Sequence, residues 1–189
     1  MAVDPAELQV VLYPEPVLRK RAAPVERVTD EVRAVATRMI ELMREEDGIG
    51  LAAPQVGLPW RLFVVHVPPG DGRALTDDPP TCMDAPVVYI NPELTEPAGE
   101  LESSEEGCLS LPDIRGQVIR PPLITIAATD LEGRRFTRRA TGLLARCWQH
   151  EFDHLNGVLI IDRMTQMSRL KNRSAVRALE READARAER

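Results

Sequence analysis

Residues 147–157 read Cys-Trp-Gln-His-Glu-Phe-Asp-His-Leu-Asn-Gly, and the spacing within this stretch is the most specific signal in the chain. His150 and His154 stand four positions apart, which on an α-helix puts both imidazoles on one face. Glu151 follows the first histidine about 100° further round, so its carboxylate can stand beside an ion held by the two rings without ligating it. This is the H-E-x-x-H spacing of metal-dependent hydrolases; the plain alternative is a pair of half-buried polar residues satisfied by neighbouring carbonyls. The helical pattern runs back to about Thr141 and forward to Leu155, where Asn156-Gly157 supplies a left-handed stop. Leu143 and Cys147 lie on the histidine stripe and are candidates for a pocket wall, although a single cysteine such as Cys147 is more often plain core.

Upstream, Thr29 or Asp30 can cap a helix that runs to Glu46, with Val32, Val35, Ala36, Met39, Ile40 and Met43 at helical spacing. The segment DGIGLAAPQVG is too rich in glycine for a regular element, and RLFVVHV after it has the continuous apolar centre of a buried strand. Residues 68–86, with several prolines and aspartates, read as a surface loop. β-prone stretches follow at VVYIN, at 116–120 and at LITIAATD, and Glu132-Gly133 turns the chain into RRFTRRA, as in a meander of antiparallel strands. VLIID reads as a brief strand or turn. Residues 166–189 have high helix propensity but thin apolar content, with Met167, Leu170, Val176 and Leu179 as the main hydrophobes.

A length of 189 residues with 43% hydrophobic content suits one domain with a single core. The net charge of −6 argues against direct DNA binding or an anionic membrane as partner. The start MAVDPAELQV carries acid where a signal peptide carries positive charge, and no apolar run approaches the roughly 18 residues that span a bilayer, so a cytoplasmic protein is expected. Three cysteines, an odd number, argue for free thiols rather than a disulfide framework.

Two histidines leave a catalytic metal site one protein ligand short. The extended metzincin pattern would place the third at Ile160, which cannot bind metal, so that peptidase architecture is excluded. The candidate donor is Cys108, in EEGCLSLP; taken alone, an inert buried cysteine is the commoner reading.

Three motifs, GIGLAAPQ (48–55), EGCLS (106–110) and QHEFDHLNG (149–157), resemble in sequence and order the signatures of the peptide deformylase family. The resemblance extends to PEPVLRKRA, IRGQVIRP and GLLARCWQHE, and so covers nearly the whole chain outside the 68–86 loop. It implies an α+β fold, with antiparallel β-sheets packed around the central H-E-x-x-H helix and with an N-terminal and a C-terminal helix. It implies that Cys108, His150 and His154 bind a divalent metal, Fe2+ in the cell, with Zn2+, Ni2+ or Co2+ also accepted by this ligand set. Glu151 would be general acid and base, and Gln55 with the Leu109 backbone N–H would polarise a formyl oxygen. Gly48, Ile49, Gly50, Glu106 and Gly107 would line the substrate backbone, with Ile49, Leu143 and Cys147 around a methionine side chain. Arg146 stands where the family often has an apolar residue, which predicts a more polar rim or one covered by the arginine stem.

The implied substrate is the formyl-methionyl end of a nascent chain, and the excess of positive charge in 166–189 suits docking on the ribosome. Two rivals remain at this point: a metallopeptidase cutting internal bonds, and a metal-stabilised binding module, which would need a fourth protein ligand and no Glu151.

Overall fold

The structure, a computed structural model, describes residues 3–187. Helix α1 spans Asp30–Glu45 and is capped by Thr29, whose Oγ1 accepts from Val32 N at 3.3 Å. Seven strands follow: β1 Gly50–Ala52, β2 Leu62–Val65, β3 Val87–Ala98, β4 Glu102–Cys108, β5 Leu111–Arg120, β6 Leu123–Thr129 and β7 Arg135–Thr141. Then come α2 Gly142–His154, the single turn α3 Ile160–Arg163 and α4 Gln166–Ala187. The expected C-terminal helix reached 189, and its last two residues lie outside those described.

The strands form two antiparallel sheets, one of five strands in the order β1-β2-β3-β6-β7 and one of two, β4-β5. The larger sheet is covered on both faces, which explains why β2 is apolar throughout rather than alternating. Leu62 and Val64 pack with Val88 and Ile90 against the Val32, Val35, Met39 and Met43 stripe of α1. Phe63 and Val65 point the other way, and with Tyr89 they meet Leu144, Cys147 and Trp148 of α2. Trp148 Nε1 donates to Tyr89 Oη at 3.0 Å, so the one polar atom of the indole is satisfied inside this core. Each fully buried side chain of this size contributes roughly 1.5–3 kcal/mol. The apolar face of α2 is therefore firmly seated on the sheet, and the adjoining stripe that runs on from Cys147 carries His150, Glu151 and His154.

An α+β arrangement of antiparallel sheets around the H-E-x-x-H helix is thus present, with four differences from the sequence reading. The glycine-rich segment is not irregular: Gly50–Ala52 pairs with β2, and Ala53–Val56 forms a 3-10 turn. VLIID is neither strand nor plain turn, because Asp162 Oδ2 accepts from Leu159 N at 2.8 Å and starts the helical turn α3. The 68–86 segment has no helix or strand, but its end is not surface, since Cys82 and Met83 are buried and Met83 N donates to Val67 O at 2.7 Å. The expected meander is interrupted, because β4 and β5 leave the main sheet as a separate hairpin before β6 returns beside β3.

Helix α4 is held on β5 and on the N-terminal segment by polar bonds as well as apolar contacts. Ser168 Oγ accepts from Gln117 N at 2.9 Å, Asn172 Nδ2 donates to Arg115 O at 2.7 Å, and Tyr13 Oη donates to Glu180 at 2.8 Å. Of its four main hydrophobes, Val176 and Leu179 are partly buried, whereas Met167 and Leu170 face solvent.

Candidate active site

The sheet, the hairpin and α2 meet around a cavity of about 500 Å³. Its wall includes Gly48, Ile49, Gly50, Gln55, Glu106, Gly107, Cys108, Leu109, Leu143, Cys147, His150 and Glu151, so the three sequence motifs converge there. His154 is fully buried with its ring against that of His150.

The donor atoms of Cys108, His150 and His154 all lie within 4.8 Å of one another. His150 Nε2 and His154 Nε2 are 3.2 Å apart, and Cys108 Sγ is 3.4 Å from His154 Nε2. Tetrahedral bonds of about 2.05 Å to nitrogen and about 2.3 Å to sulfur put ligand nitrogens about 3.3 Å apart, and a nitrogen and sulfur about 3.5 Å apart. The donor set therefore fits a single ion of this size. Among the described residues, no other group of at least three His, Cys, Asp or Glu side chains has this geometry.

Glu151 lies beside this cluster, almost wholly buried, and its Oε2 has no hydrogen-bond partner. Burial is the main reason that its carboxyl is pushed up to about 7, where a proton can be both taken and returned near neutrality. Gly50 makes room for it: a Cβ there would stand 2.8 Å from Glu151 Cδ and 2.9 Å from Cys147 Sγ. Burial also keeps the Cys147 thiol well above its ordinary pKa, so it is a neutral donor, directed at Ile49 O at 3.5 Å.

Gln55 is oriented by its own turn. Its Oε1 accepts from Ala52 N at 2.8 Å, which leaves Nε2 to face Ser110 Oγ at 3.4 Å and Cys108 Sγ at 3.5 Å. The amide thus presents its N–H end to the site. Leu109 and Ser110 form the two-residue connection between β4 and β5.

Glu106 is engaged from three sides. His150 Nδ1 lies 3.0 Å from its Oε2, Arg120 donates to both oxygens at 2.7 and 3.0 Å, and Arg146 Nη1 donates to Oε1 at 2.8 Å. Burial alone would raise the Glu106 pKa, but His150 and Arg120 overcome it and hold the carboxyl well below the usual range. Arg120 also donates to Asp153 at 2.9 Å, and Asp153 accepts two bonds from Arg163. This network behind the histidine was not foreseen, nor was the place of Ser110 beside Gln55. Arg146 does line the cavity, but its guanidinium is turned into the protein rather than out over the rim.

Fold and site together define a metal-dependent hydrolase of the α+β class. The profile of the polypeptide deformylase family matches residues 7–170. The chain is 38% identical over 166 residues to the peptide deformylase of Desulforudis audaxviator, covering 88% of this chain and 99% of the relative. It is 42% identical over 160 residues to that of Agrobacterium fabrum, covering 85% and 88%. Its structure superposes with TM-score 0.84 on the crystal structure of Arabidopsis thaliana peptide deformylase 1B in complex with an inhibitor, at 35% identity and over 95% of this chain and 93% of that one. This chain belongs to the polypeptide deformylase family.

Proposed function

We propose that the cavity takes the formylated N-terminal methionine of a newly synthesised protein and that the chain hydrolyses the formyl amide, releasing formate and a free amino terminus. The residue roles rest on the geometry above. Cys108, His150 and His154 would hold one divalent ion, which supplies Lewis acidity and lowers the pKa of the attacking water. Glu151 takes the proton of that water as it attacks the formyl carbon, and returns a proton to the amine nitrogen as the carbon–nitrogen bond breaks. Gln55 Nε2 and the Leu109 N–H donate to the former carbonyl oxygen as it gains negative charge. Gly48, Ile49 and Gly50 on one side and Glu106 and Gly107 on the other flank the substrate backbone. Ile49, Leu143 and Cys147 receive the methionine side chain.

The observation that carries this reading is the unpartnered, buried Glu151 Oε2 beside three converging metal donors, in a space kept open by Gly50. A metallopeptidase of the metzincin type lacks its third histidine here, and a purely structural ion site would use a fourth protein donor and leave Glu151 idle. The testing experiment measures formate released from a formyl-methionyl peptide, with the unformylated peptide as control and with chelator-treated protein alongside. Formate from the formylated peptide alone, abolished by the chelator, is expected; cleavage of an internal bond, or no formate, counts against the reading.

The physiological ion is taken to be Fe2+, supported by the soft thiolate of Cys108 and by the family; Zn2+, Ni2+ or Co2+ suit the same donors. No described helix is long and apolar enough to cross a membrane. A reaction on nascent chains and three cysteines free of disulfides support a cytoplasmic enzyme, and the net charge of −6 supports no direct DNA binding. Residues 1–189 are read as one catalytic domain. Ribosome docking through α4 is supported by its exposed Arg169, Lys171, Arg173 and Arg177.

A further inference from the structure

The three metal-binding side chains come from two elements that meet along a seam. Cys108 ends β4, whereas His150 and His154 lie on α2, so the spacing of the donors depends on how the β4–β5 hairpin sits against the helix. Building on the reading of these residues as a metal centre, we infer that Arg146 is a positioning residue that pins this seam and thereby sets how tightly the ion is held.

Arg146 leaves α2 one turn before His150, and its guanidinium crosses to the hairpin at three points. Nη2 donates to Glu102 O at 2.9 Å, and Nη1 donates to Val118 O at 3.0 Å and to Glu106 Oε1 at 2.8 Å. Main chain of both hairpin strands is therefore held from the helix, along with the carboxylate whose other oxygen meets His150 Nδ1. Arg120 makes the reverse crossing, from β5 to Asp153 of α2, but its remaining bonds go to Glu106 inside its own hairpin. Arg146 alone of the two grips hairpin backbone from the helix side.

Chemistry explains why an arginine is used. The wall of an apolar substrate pocket gains nothing from a cation, and a side chain only 11% exposed makes charge-assisted bonds that are strong because water is excluded. The planar fork serves two carbonyls and a carboxylate from two separate nitrogens, a spread that the single nitrogen of an ammonium does not have. Outer contacts of this kind, acting through a metal-ligating histidine, govern metal affinity by about 10- to 100-fold.

The test compares wild type with Arg146→Leu, which keeps the stem, and Arg146→Lys, which keeps the charge. Zn2+-loaded protein is mixed with excess chelator and the release rate is followed. In parallel, Co2+-loaded protein is examined for the thiolate-to-metal absorption that reports the Cys108 bond. Release at least about 10-fold faster for Arg146→Leu, with Arg146→Lys in between and weakened thiolate absorption, is expected. Release rates and spectra equal to wild type in whichever variants fold would overturn the inference, even if melting temperatures fall, because that pattern is structural support alone. Wild type that binds neither ion would instead sink the reading of the metal centre itself, which separates the two failures.

Discussion

Gly50 and Glu151 occupy one space: the position where Gly50 would carry a Cβ lies 2.8 Å from Glu151 Cδ. Strand β1 itself would accept alanine, since Gly50 pairs regularly with Val65. Gly50→Ala should therefore keep the strand pairing, at a cost of about 1–3 kcal/mol because the same Cβ also stands 2.9 Å from Cys147 Sγ, and should push the carboxylate from its place and reduce formate release by roughly 10²-fold, the usual contribution of a general base. Full activity in this variant would show that Glu151 does not act from the position seen here.

Gln55 is fixed by Ala52 N on one side and aimed at the site on the other, so two substitutions should separate these roles. Gln55→Glu can keep the bond to Ala52 but presents no donor to the formyl oxygen. Its turnover should fall by about 10²–10³-fold with the fold intact. Gln55→Ala also strands a buried amide and should cost about 1–3 kcal/mol in urea denaturation as well. Equal stability of the two variants would contradict the anchoring of Oε1.

Arg120 neutralises two buried carboxylates, Glu106 and Asp153, in a region almost closed to water. Arg120→Leu removes two bonds from Glu106 and one from Asp153, leaving these buried charges to Arg146, His150 and the half-exposed Arg163, and should destabilise the protein by about 3–5 kcal/mol, together with weaker metal retention. A change below 1 kcal/mol in denaturant unfolding would mean that Arg146 and Arg163 suffice.

Much of this was legible in the sequence, for identifiable reasons. His150, Glu151 and His154 sit on one helix, where spacing alone gives relative position, and the α1 stripe was legible in the same way. Cys108 and Gln55 were reached by resemblance, because residues 40 or more positions away carry no spacing signal toward α2. Arg120, Asp153 and Ser110 were missed because they are ordinary polar residues whose meaning comes from the partners the fold brings to them: Asp153 lies on α2 itself, but it is Arg120 and Arg163, from outside that helix, that give it a role. Strand β1 was misread because its glycine makes room for the Glu151 side chain rather than marking a turn. Helix α3 was misread because Asp162, whose carboxylate reaches back to Leu159 N, only closes an apolar run that by itself suggests a strand.

Lys171 and Arg173 are exposed on α4, away from the bonds that Ser168 and Asn172 make to β5. Replacing both with glutamate should abolish co-sedimentation with ribosomes at low salt while leaving hydrolysis of free formyl-methionyl peptides within about twofold of wild type. Unchanged co-sedimentation would remove α4 from the docking surface.

The central claim is that Glu151 moves protons while Cys108, His150 and His154 hold the ion, and one preparation of Glu151→Gln tests it. Formate release and bound metal are measured on the same sample, with wild type alongside. Turnover should fall at least about 10²-fold while metal per chain stays at the wild-type value, because glutamine keeps the size of the side chain but cannot accept the proton. An active Glu151→Gln enzyme would contradict the mechanism.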